Sequence, residues 1–262
     1  MNPPAGIDLL PEERQQRILQ RLHAQGRVLA VELAQEFAVS EDSVRRDLRE
    51  LAARGLCRRI YGGALLHAPE VKPLLQRQGQ DSERKQLLAR KALGLLRKGQ
   101  TLILDAGSTN SAIADALPRD FDLTVVTNAP DIAFRLMERA DVEVLVIGGR
   151  IEHRIGAAIG AQAVQELRRV RADLCFPGTC AVDIDSGLWG NDAEESLFKR
   201  AMIECSGETA VVVMNEKFGA DARFQFASLH QIDHLIVEHD ALESLRKSFE
   251  QQEIAVLRAD RR

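Results

Sequence analysis

The chain has 262 residues, of which 45% are hydrophobic and 28% charged, as is typical of a globular protein of one or two domains. No apolar run approaches the roughly 18 residues of a membrane span, and the net charge of −4 argues against non-specific coating of nucleic acid while permitting a local basic patch. The first residues lack the basic and apolar parts of a signal peptide and the four cysteines form no CxxC pair, so we expect reduced thiols in a cytoplasm, with neither a metal site nor a cofactor.

Residues 10–66 predict a small domain that opens with two short helices. Pro11 suits the first turn of a helix whose apolar stripe includes Leu22, and Gly26 is placed to end it. The segment VELAQEFAV, residues 31–39, repeats its apolar residues with a helical period. A brief turn then separates this second helix from a third.

The third predicted helix, in VSEDSVRRDLREL, carries arginines on its exposed side. Ser40 is a good N-cap, and Val44, Leu48 and Leu51 recur at helical spacing on one apolar face. The side chains that leave this face are Glu41, Ser43, Arg45, Arg46 and Arg49. A solvated charged surface has the same pattern, so the segments around the helix must decide what these side chains do.

The segment GLCRRIYGGALL that follows predicts two short strands around Gly62-Gly63. Three helices with a tight turn before the last, followed by a hairpin, are typical of a winged helix-turn-helix, whose third helix enters the major groove of double-stranded DNA. Residues 45–59 hold six of the ten arginines among residues 1–66, and arginine offers a planar fork to guanine or phosphate. The predicted DNA-contacting residues are Ser40, Glu41, Ser43, Arg45, Arg46, Arg49, Arg58, Arg59 and Tyr61. The alternative is a helical protein-interaction module with a charged face.

Residues 67–80 hold two prolines and little periodicity, which predicts a linker to a second domain at residues 81–262. In that domain apolar runs alternate with helical segments. The predicted strands are TLILDAG, LTVVTN, VEVLVIGG, DLCFPG, TAVVVM, HLIVEH and IAVLRA, with helices near 109–117, 130–139, 159–170, 192–205 and 240–250. This alternation predicts an α/β domain with a mostly parallel sheet covered by helices on both faces.

Ligands of such sheets bind beyond the carboxyl ends of the strands, where this chain places polar residues. They are Asp105, Gly107, Ser108, Thr109, Asn110, Thr127, Asn128, Gly148, Gly149, Asp183 and Lys217. Backbone N–H groups at a helix start, together with lysine, suit a phosphate, and carboxylate and amide groups suit hydroxyls. The set predicts a site for a phosphorylated sugar or polyol. Nucleotide binding has less support, because neither GxGxxG after a strand nor GxxxxGK[ST] occurs.

Residues 39–64, VSEDSVRRDLRELAARGLCRRIYGGA, resemble the signature of DeoR-type bacterial repressors. The motifs DAGSTN, TNAP, VIGGR, AIGAQAV, GLWGNDAEESLFKRAM and NEKFG are similar, in the same order, to those of the DeoR-type sensor domain. The resemblance covers about residues 12–240 and implies a sensor fold similar to ribose-5-phosphate isomerase and CoA-transferases. It implies a repressor of a carbohydrate-metabolism operon that is relieved by a phosphorylated sugar and acts as a homodimer or homotetramer without a membrane partner.

The resemblance also implies individual roles at the sugar site. Gly107, Ser108 and Thr109 would hold the phosphate, and Asp105, Asn128, Asp183, Glu195, Lys199 and Lys217 would line the sugar pocket. Two segments here depart from the family pattern. Ser108-Thr109-Asn110 stands where Thr-Thr-Thr is common, and Thr179-Cys180-Ala181 stands where the family usually has a glycine-bearing segment. The other reading is a sugar-phosphate isomerase or CoA-transferase-like enzyme in which Glu195 or Asp183 is the base. The N-terminal domain favours the regulator, because such an enzyme needs no helix-turn-helix.

Overall fold

A computed structural model describes residues 10–66 and 73–261 of the chain, which form two compact units. The described residues before 67 form the first unit together with residues 216–221, and the remaining described residues form the second. Residues 67–72 of the predicted linker lie outside the described residues, and its second half forms a short helix. The predicted domain boundaries stay a prediction.

The first unit consists of three helices and a small antiparallel sheet. Its elements are α1 (Pro11–Gln25), β1 (Arg27–Leu29), α2 (Ala30–Phe37), α3 (Glu41–Ala53), β2 (Cys57–Ile60) and β3 (Gly63–Leu66). The sheet has the order β1-β3-β2, so β1 pairs with the hairpin of β2 and β3. The predicted helices and wing hairpin are confirmed. The strand β1 was not predicted, since three residues are too few to show an alternating pattern.

Apolar side chains of all three helices form one core in this unit. Leu22 of α1, Phe37 of α2 and Val44, Leu48 and Leu51 of α3 are all buried. The Ser40 side chain accepts a hydrogen bond from the backbone N–H of Ser43 at 3.2 Å and so caps α3 as predicted. Burial of one face of α3 leaves its other face in solvent.

The second unit contains seven further helices and twelve further strands among the described residues. In chain order these are α4 (Leu74–Gln78), α5 (Ser82–Ala92), β4 (Thr101–Leu104), α6 (Ser108–Ala116), β5 (Leu123–Thr127), α7 (Pro130–Leu136), β6 (Val142–Val146), β7 (Arg150–Glu152), β8 (Ala157–Ile159), α8 (Ala161–Leu167), β9 (Ala172–Phe176), β10 (Ala181–Asp183), β11 (Gly187–Gly190), α9 (Ala193–Glu204), β12 (Ser206–Val213), β13 (Phe224–Ala227), β14 (His234–Val237), α10 (Glu243–Glu250) and β15 (Ala255–Arg258). Within the described ranges, no helix has the length and apolar character to cross a membrane.

A seven-stranded parallel sheet in the order β15-β14-β12-β9-β4-β5-β6 forms the centre of this unit. It contains all seven predicted strands, so the α/β prediction is confirmed. Leu104 pairs with both Thr127 and Phe176, so the residues that follow β4, β5 and β9 lie side by side at the carboxyl edge. A small sheet β10-β11-β13 and the hairpin of β7 and β8 were not predicted.

Candidate functional site

The exposed face of α3 carries arginines in different states of engagement. Arg45 donates to Glu41 Oε2 at 2.6 Å, and Arg49 donates to the Arg45 carbonyl at 3.3 Å. Arg46 is exposed and has no hydrogen bond or ion pair within the described part of the chain. The Ser43 and Ser40 hydroxyls lie 3.0 Å apart at the start of the helix. Arg46 is therefore the cation of this face that can meet a ligand without giving up a partner.

The hairpin of β2 and β3 adds a second exposed basic surface to the first unit. Tyr61 is fully exposed in the turn, next to Gly62, which takes a positive φ of 80°. Arg59 is exposed and, as far as the structure describes the chain, has no ion pair, whereas Arg58 pairs with Asp221 at 2.5 Å. The structure thus brings all nine predicted DNA-contacting residues to α3, its cap or the hairpin.

A buried ion pair attaches α3 to α1. Asp47 is on the buried side of α3 and accepts from Arg14 Nε at 2.5 Å and from Gln15 Nε2 at 3.4 Å. Arg14 and Gln15 are also buried. Removal of one member of a buried ion pair leaves an uncompensated charge, so loss of either partner here would destabilise the first unit. The pair therefore fixes the orientation of α3 on α1.

In the second unit, three charged side chains meet at the carboxyl edge of the sheet. Asp105 follows β4 with no exposed surface, and its Oδ2 accepts from the Gly178 N–H at 2.9 Å. Lys199 of α9 lies 3.5 Å from the same oxygen and also bonds to Glu195, one helical turn away. The Lys199 ammonium is 5.5 Å from the centre of the Phe226 ring. The structure therefore brings together Asp105, Glu195 and Lys199, three of the five charged residues predicted to line the sugar pocket.

Three buried polar atoms around this cluster lack a hydrogen-bond partner. They are Asp105 Oδ1, Asn128 Oδ1 and Ser196 Oγ. Asn128 follows β5 beside Asp105, and Ser196 is next to Glu195 on α9. A buried polar atom without a partner costs roughly 1–3 kcal/mol, and such atoms are few in native proteins. Two of them can only accept hydrogen bonds, which suits a ligand that supplies hydroxyl donors.

Burial and the negative charge of Glu195 both make ionisation of Asp105 less favourable. Burial, with a contribution from Glu195, raises the pKa of Asp105 to about 6, although Lys199 and the Gly178 N–H oppose the rise. Burial lowers the pKa of Lys199, but Glu195 and Asp105 raise it more, so the net shift is upward. Lys199 therefore stays charged, and Asp105 exchanges its proton at a pH near 6.

Four predicted effector residues have polar groups engaged within the protein. Asn110 Nδ2 donates to the Asp105 and Phe176 carbonyls, and the Thr127 hydroxyl donates to the Leu104 carbonyl at 2.6 Å. The Gly148 N–H donates to Glu166. Asp183 Oδ1 accepts from the N–H groups of residues 185 and 186 in the turn between β10 and β11. These groups are therefore already used in stabilising the local structure.

The remaining predicted residues lie in three places. Gly107, Ser108 and Thr109 begin α6, and Ser108 also lines a cavity of about 390 Å³ with basic residues of α5 and α7. Gly149 comes between β6 and β7 with a positive φ of 149°, which favours glycine. Lys217 belongs to residues 216–221 of the first unit.

Comparison with known proteins identifies both units. Residues 14–70 match the DeoR-like helix-turn-helix domain, and residues 80–239 match the DeoR C-terminal sensor domain. The chain belongs to the DeoR family of transcriptional regulators. This result confirms the resemblance seen in the sequence and decides for a regulator over an enzyme.

Similar DeoR-family proteins span almost the whole chain. The HTH-type transcriptional regulator GlpR of Haloferax volcanii is 33% identical over 95% of this chain and 98% of its own. The glycerol-3-phosphate regulon repressor of Escherichia coli (strain K12) is 35% identical over 84% of this chain and 88% of its own. A solved D-ribose-5-phosphate isomerase in complex with phospho-erythronic acid is 16% identical, with a TM-score of 0.38 over 52% of this chain and 54% of that one, and is too distant to support an argument.

Two features of this DeoR-family site were not singled out from the sequence. Ser196 contributes one of the unpartnered atoms, and a Cβ at Gly190 would lie 2.7 Å from its hydroxyl oxygen. A Cβ at Gly178 would lie 3.1 Å from both Asp105 Oδ2 and the Ala106 carbonyl oxygen. Small residues therefore make room for these polar groups. The signal in the sequence was GLWGNDAEES itself, which ends in Ser196, but only the packed structure shows that the Ser196 hydroxyl is buried without a partner beside Gly190.

We expect the Asp105→Asn variant to be more stable than the wild type at pH 7.5, by about 1–2 kcal/mol. A carboxyl whose folded pKa lies above its unfolded value of 3.8 costs stability when ionised, and asparagine is never ionised. The wild type should regain this stability as pH falls from about 6 towards 4, so the difference should disappear there. Urea unfolding followed by fluorescence of Trp189, the single tryptophan, measures this unit. A variant less stable at both pH values would contradict the assigned cost.

Proposed function

We propose that this DeoR-family regulator is a cytoplasmic repressor of a carbohydrate-metabolism operon. The first unit binds double-stranded operator DNA, and a phosphorylated sugar bound in the second unit releases it. The observation that supports an effector site most directly is the group of three unpartnered buried polar atoms beside Lys199. The similarity to a glycerol-3-phosphate regulon repressor supports a small phosphorylated polyol or sugar as the ligand class.

For DNA, we assign the main base-reading role to Arg46. It is exposed and unpaired within the described residues, and the planar guanidinium matches guanine O6 and N7 in the major groove. Arg45 is oriented by Glu41, while Arg49 extends the same face. Ser40 and Ser43 shape the start of the helix. Arg58, Arg59 and Tyr61 of the hairpin would contact the phosphate backbone or the minor groove.

For the effector, we assign the hydroxyl groups to Asp105, Asn128 and Ser196. The unpartnered oxygens of Asp105 and Asn128 accept from ligand hydroxyls, while the Lys199 ammonium keeps Asp105 and Glu195 electrostatically balanced. The phosphate would bind the free N–H groups of residues 107–109 at the start of α6. The polar groups of Asn110, Thr127, Gly148 and Asp183 are bonded within the protein, so we assign them a structural role. A role of Gly149 or Lys217 in effector binding stays a prediction from the sequence.

Relief of repression requires that the ligand bind the DNA-free state more tightly than the DNA-bound state. By linkage, operator DNA then weakens effector binding by the same factor that the effector weakens DNA binding. The effect of the effector on operator affinity and the effect of operator DNA on effector affinity can be measured separately. If the two sites are coupled, both affinities must change by the same factor.

The proposed effector class can be tested by thermal unfolding of the full chain with phosphorylated sugars and polyols. Free sugars and nucleotides are the controls. A ligand at 100 times its dissociation constant stabilises the folded state by about 2.7 kcal/mol, and we expect a selective phosphorylated ligand to do this. Asp105→Asn should bind the same ligand at least tenfold more weakly, because it replaces an acceptor oxygen with an amide. Equal shifts with phosphorylated and free sugars would contradict the phosphate site, and equal binding by the variant would remove Asp105 from it.

A further inference from the structure

Exposed apolar side chains are concentrated in the stretch of the sensor unit that contains the edge strand β6 and its two neighbouring elements in the chain. Of the eleven large apolar side chains that are exposed in the described residues, five fall within residues 134–151, with exposed fractions from 39% to 74%. They are Phe134, Met137, Leu145, Val146 and Ile151, and we call them the edge patch. Isolated exposed apolar residues are ordinary, whereas a concentration of them indicates an interaction surface.

The edge patch includes two residues of β6, the last strand of the parallel sheet, and residues of the elements before and after it in the chain, α7 with its C-cap and β7. As far as the chain is described, no strand pairs with the outer side of β6, so its backbone donors and acceptors are available to another strand. Edge strands are usually protected by lysine, proline or a bulge. Here the sequence is VEVLV, its only charge is Glu143, and Glu143 is held by the Thr124 hydroxyl of the neighbouring strand at 3.2 Å. Leu145 and Val146 face opposite sides of the sheet, yet both are exposed.

We propose that the edge patch is the site where a second copy of this chain binds, with the two β6 strands antiparallel about a two-fold axis. This proposal rests on the proposed function, in which a short recognition helix needs a partner to read paired half-sites. A two-fold axis uses the same surface on both copies, and the edge of a sheet is self-complementary in this sense. An antiparallel pair centred on Val144 places Glu143 opposite Leu145, so the two carboxylates do not face each other.

The size of the edge patch fits a dimer of two such chains. Five partly exposed side chains of this size contribute on the order of 400 Å² of apolar area per copy, about half of the roughly 800 Å² that each partner gives to a standard interface. The backbone of the paired strands and polar residues at the rim supply the remaining area.

The proposal predicts that Leu145→Glu weakens self-association of the full chain at least tenfold, because pairing would bury the new charge. Leu242→Glu is the matched control, since Leu242 is 40% exposed and Leu145 is 39% exposed, and Leu242 lies at the start of α10. Sedimentation velocity over a range of protein concentrations measures both variants and the wild type. Phe134→Glu, on α7, gives a second variant outside the sheet should Leu145→Glu lower the melting temperature.

The expected result is a wild-type dimer or larger assembly whose mass is halved by Leu145→Glu and unchanged by Leu242→Glu. A monomeric wild type, or equal association of all variants, would overturn the proposal. Effector-induced thermal stabilisation of Leu145→Glu separates the two hypotheses. If the monomeric variant still responds to the phosphorylated ligand, the interface and the effector site are both supported, and if no chain responds, only the proposed function fails.

Discussion

Replacement of Arg46 by alanine is expected to lower affinity for the operator about 30-fold or more while the free energy of unfolding changes by less than about 0.5 kcal/mol. A bidentate contact to guanine contributes about 1–3 kcal/mol to discrimination between bases. If the first units of two copies bind paired half-sites, the substitution removes this contact at both half-sites. Arg46 is exposed and has no partner in the described part of the chain, so its removal breaks no contact that supports the fold. DNA selected from a random library by the wild-type protein supplies the operator for the binding titration.

The matched control for this experiment is Arg17→Ala, which removes an exposed arginine from α1 of the same unit. We expect the control to bind the operator with wild-type affinity. The dependence of binding on salt concentration distinguishes two roles of Arg46, because each lost phosphate contact reduces the log–log slope by about 0.9 and a lost base contact does not. Equal operator affinities for Arg46→Ala and Arg17→Ala would show that α3 does not dock through this face.

The second large effect is expected for Lys199→Met, which should destabilise the sensor unit by about 3–5 kcal/mol at pH 8. The substitution keeps most of the side-chain volume but leaves the buried Asp105 and Glu195 carboxylates without a cation. Without the Lys199 cation, the folded pKa of Asp105 rises further above its unfolded value. Stability is lost as pH rises through the folded pKa, so the variant should recover much of its stability between pH 8 and pH 5.

Lys98→Met is the control for the loss of a lysine, because Lys98 is exposed and forms a surface pair with Asp122 at 3.0 Å. Urea unfolding followed by Trp189 fluorescence at both pH values measures the difference. The triple variant Asp105→Asn, Glu195→Gln, Lys199→Met should recover part of the loss at pH 8, since it buries no unpaired charge. A similar small effect of Lys199→Met and Lys98→Met would refute a buried charge balance at this site.

Much of the fold could be predicted because its elements have strong local patterns. Most of β5 and the second half of β12 are buried, and both are rich in valine and threonine, the β-branched residues that favour strands. The strands β10, β11 and β13 are three or four residues long and join segments far apart in the chain. Their pairing depends on how the chain packs over the sheet, and a local pattern does not carry that information.

The candidate site divides in the same way. Asp105 and Asn128 could be placed because the carboxyl ends of neighbouring strands meet, and the registers of β4 and β5 agree. Asp183 is also at the end of a strand, but that strand, β10, belongs to the small sheet, and one of the carboxylate oxygens closes a turn. Ser196 required knowledge of how α9 is rotated against the sheet, which follows from packing at Phe198 and Lys199. Lys217 belongs to the first unit although it is far from that unit in the sequence, and no local sequence pattern predicts this.

The buried pair of Asp47 and Arg14 has a consequence for how such regulators diversify. Attachment of α3 depends on side chains beneath the helix, whereas Ser43, Arg46 and Arg49 lie on its outer side. Substitutions on the outer side of α3 leave both its orientation on α1 and the stability of the first unit unchanged. A duplicated copy of the gene can therefore acquire a new operator through a few codon changes, each intermediate being a folded protein. The same separation makes the outer face of α3 suitable for laboratory selection of altered DNA specificity.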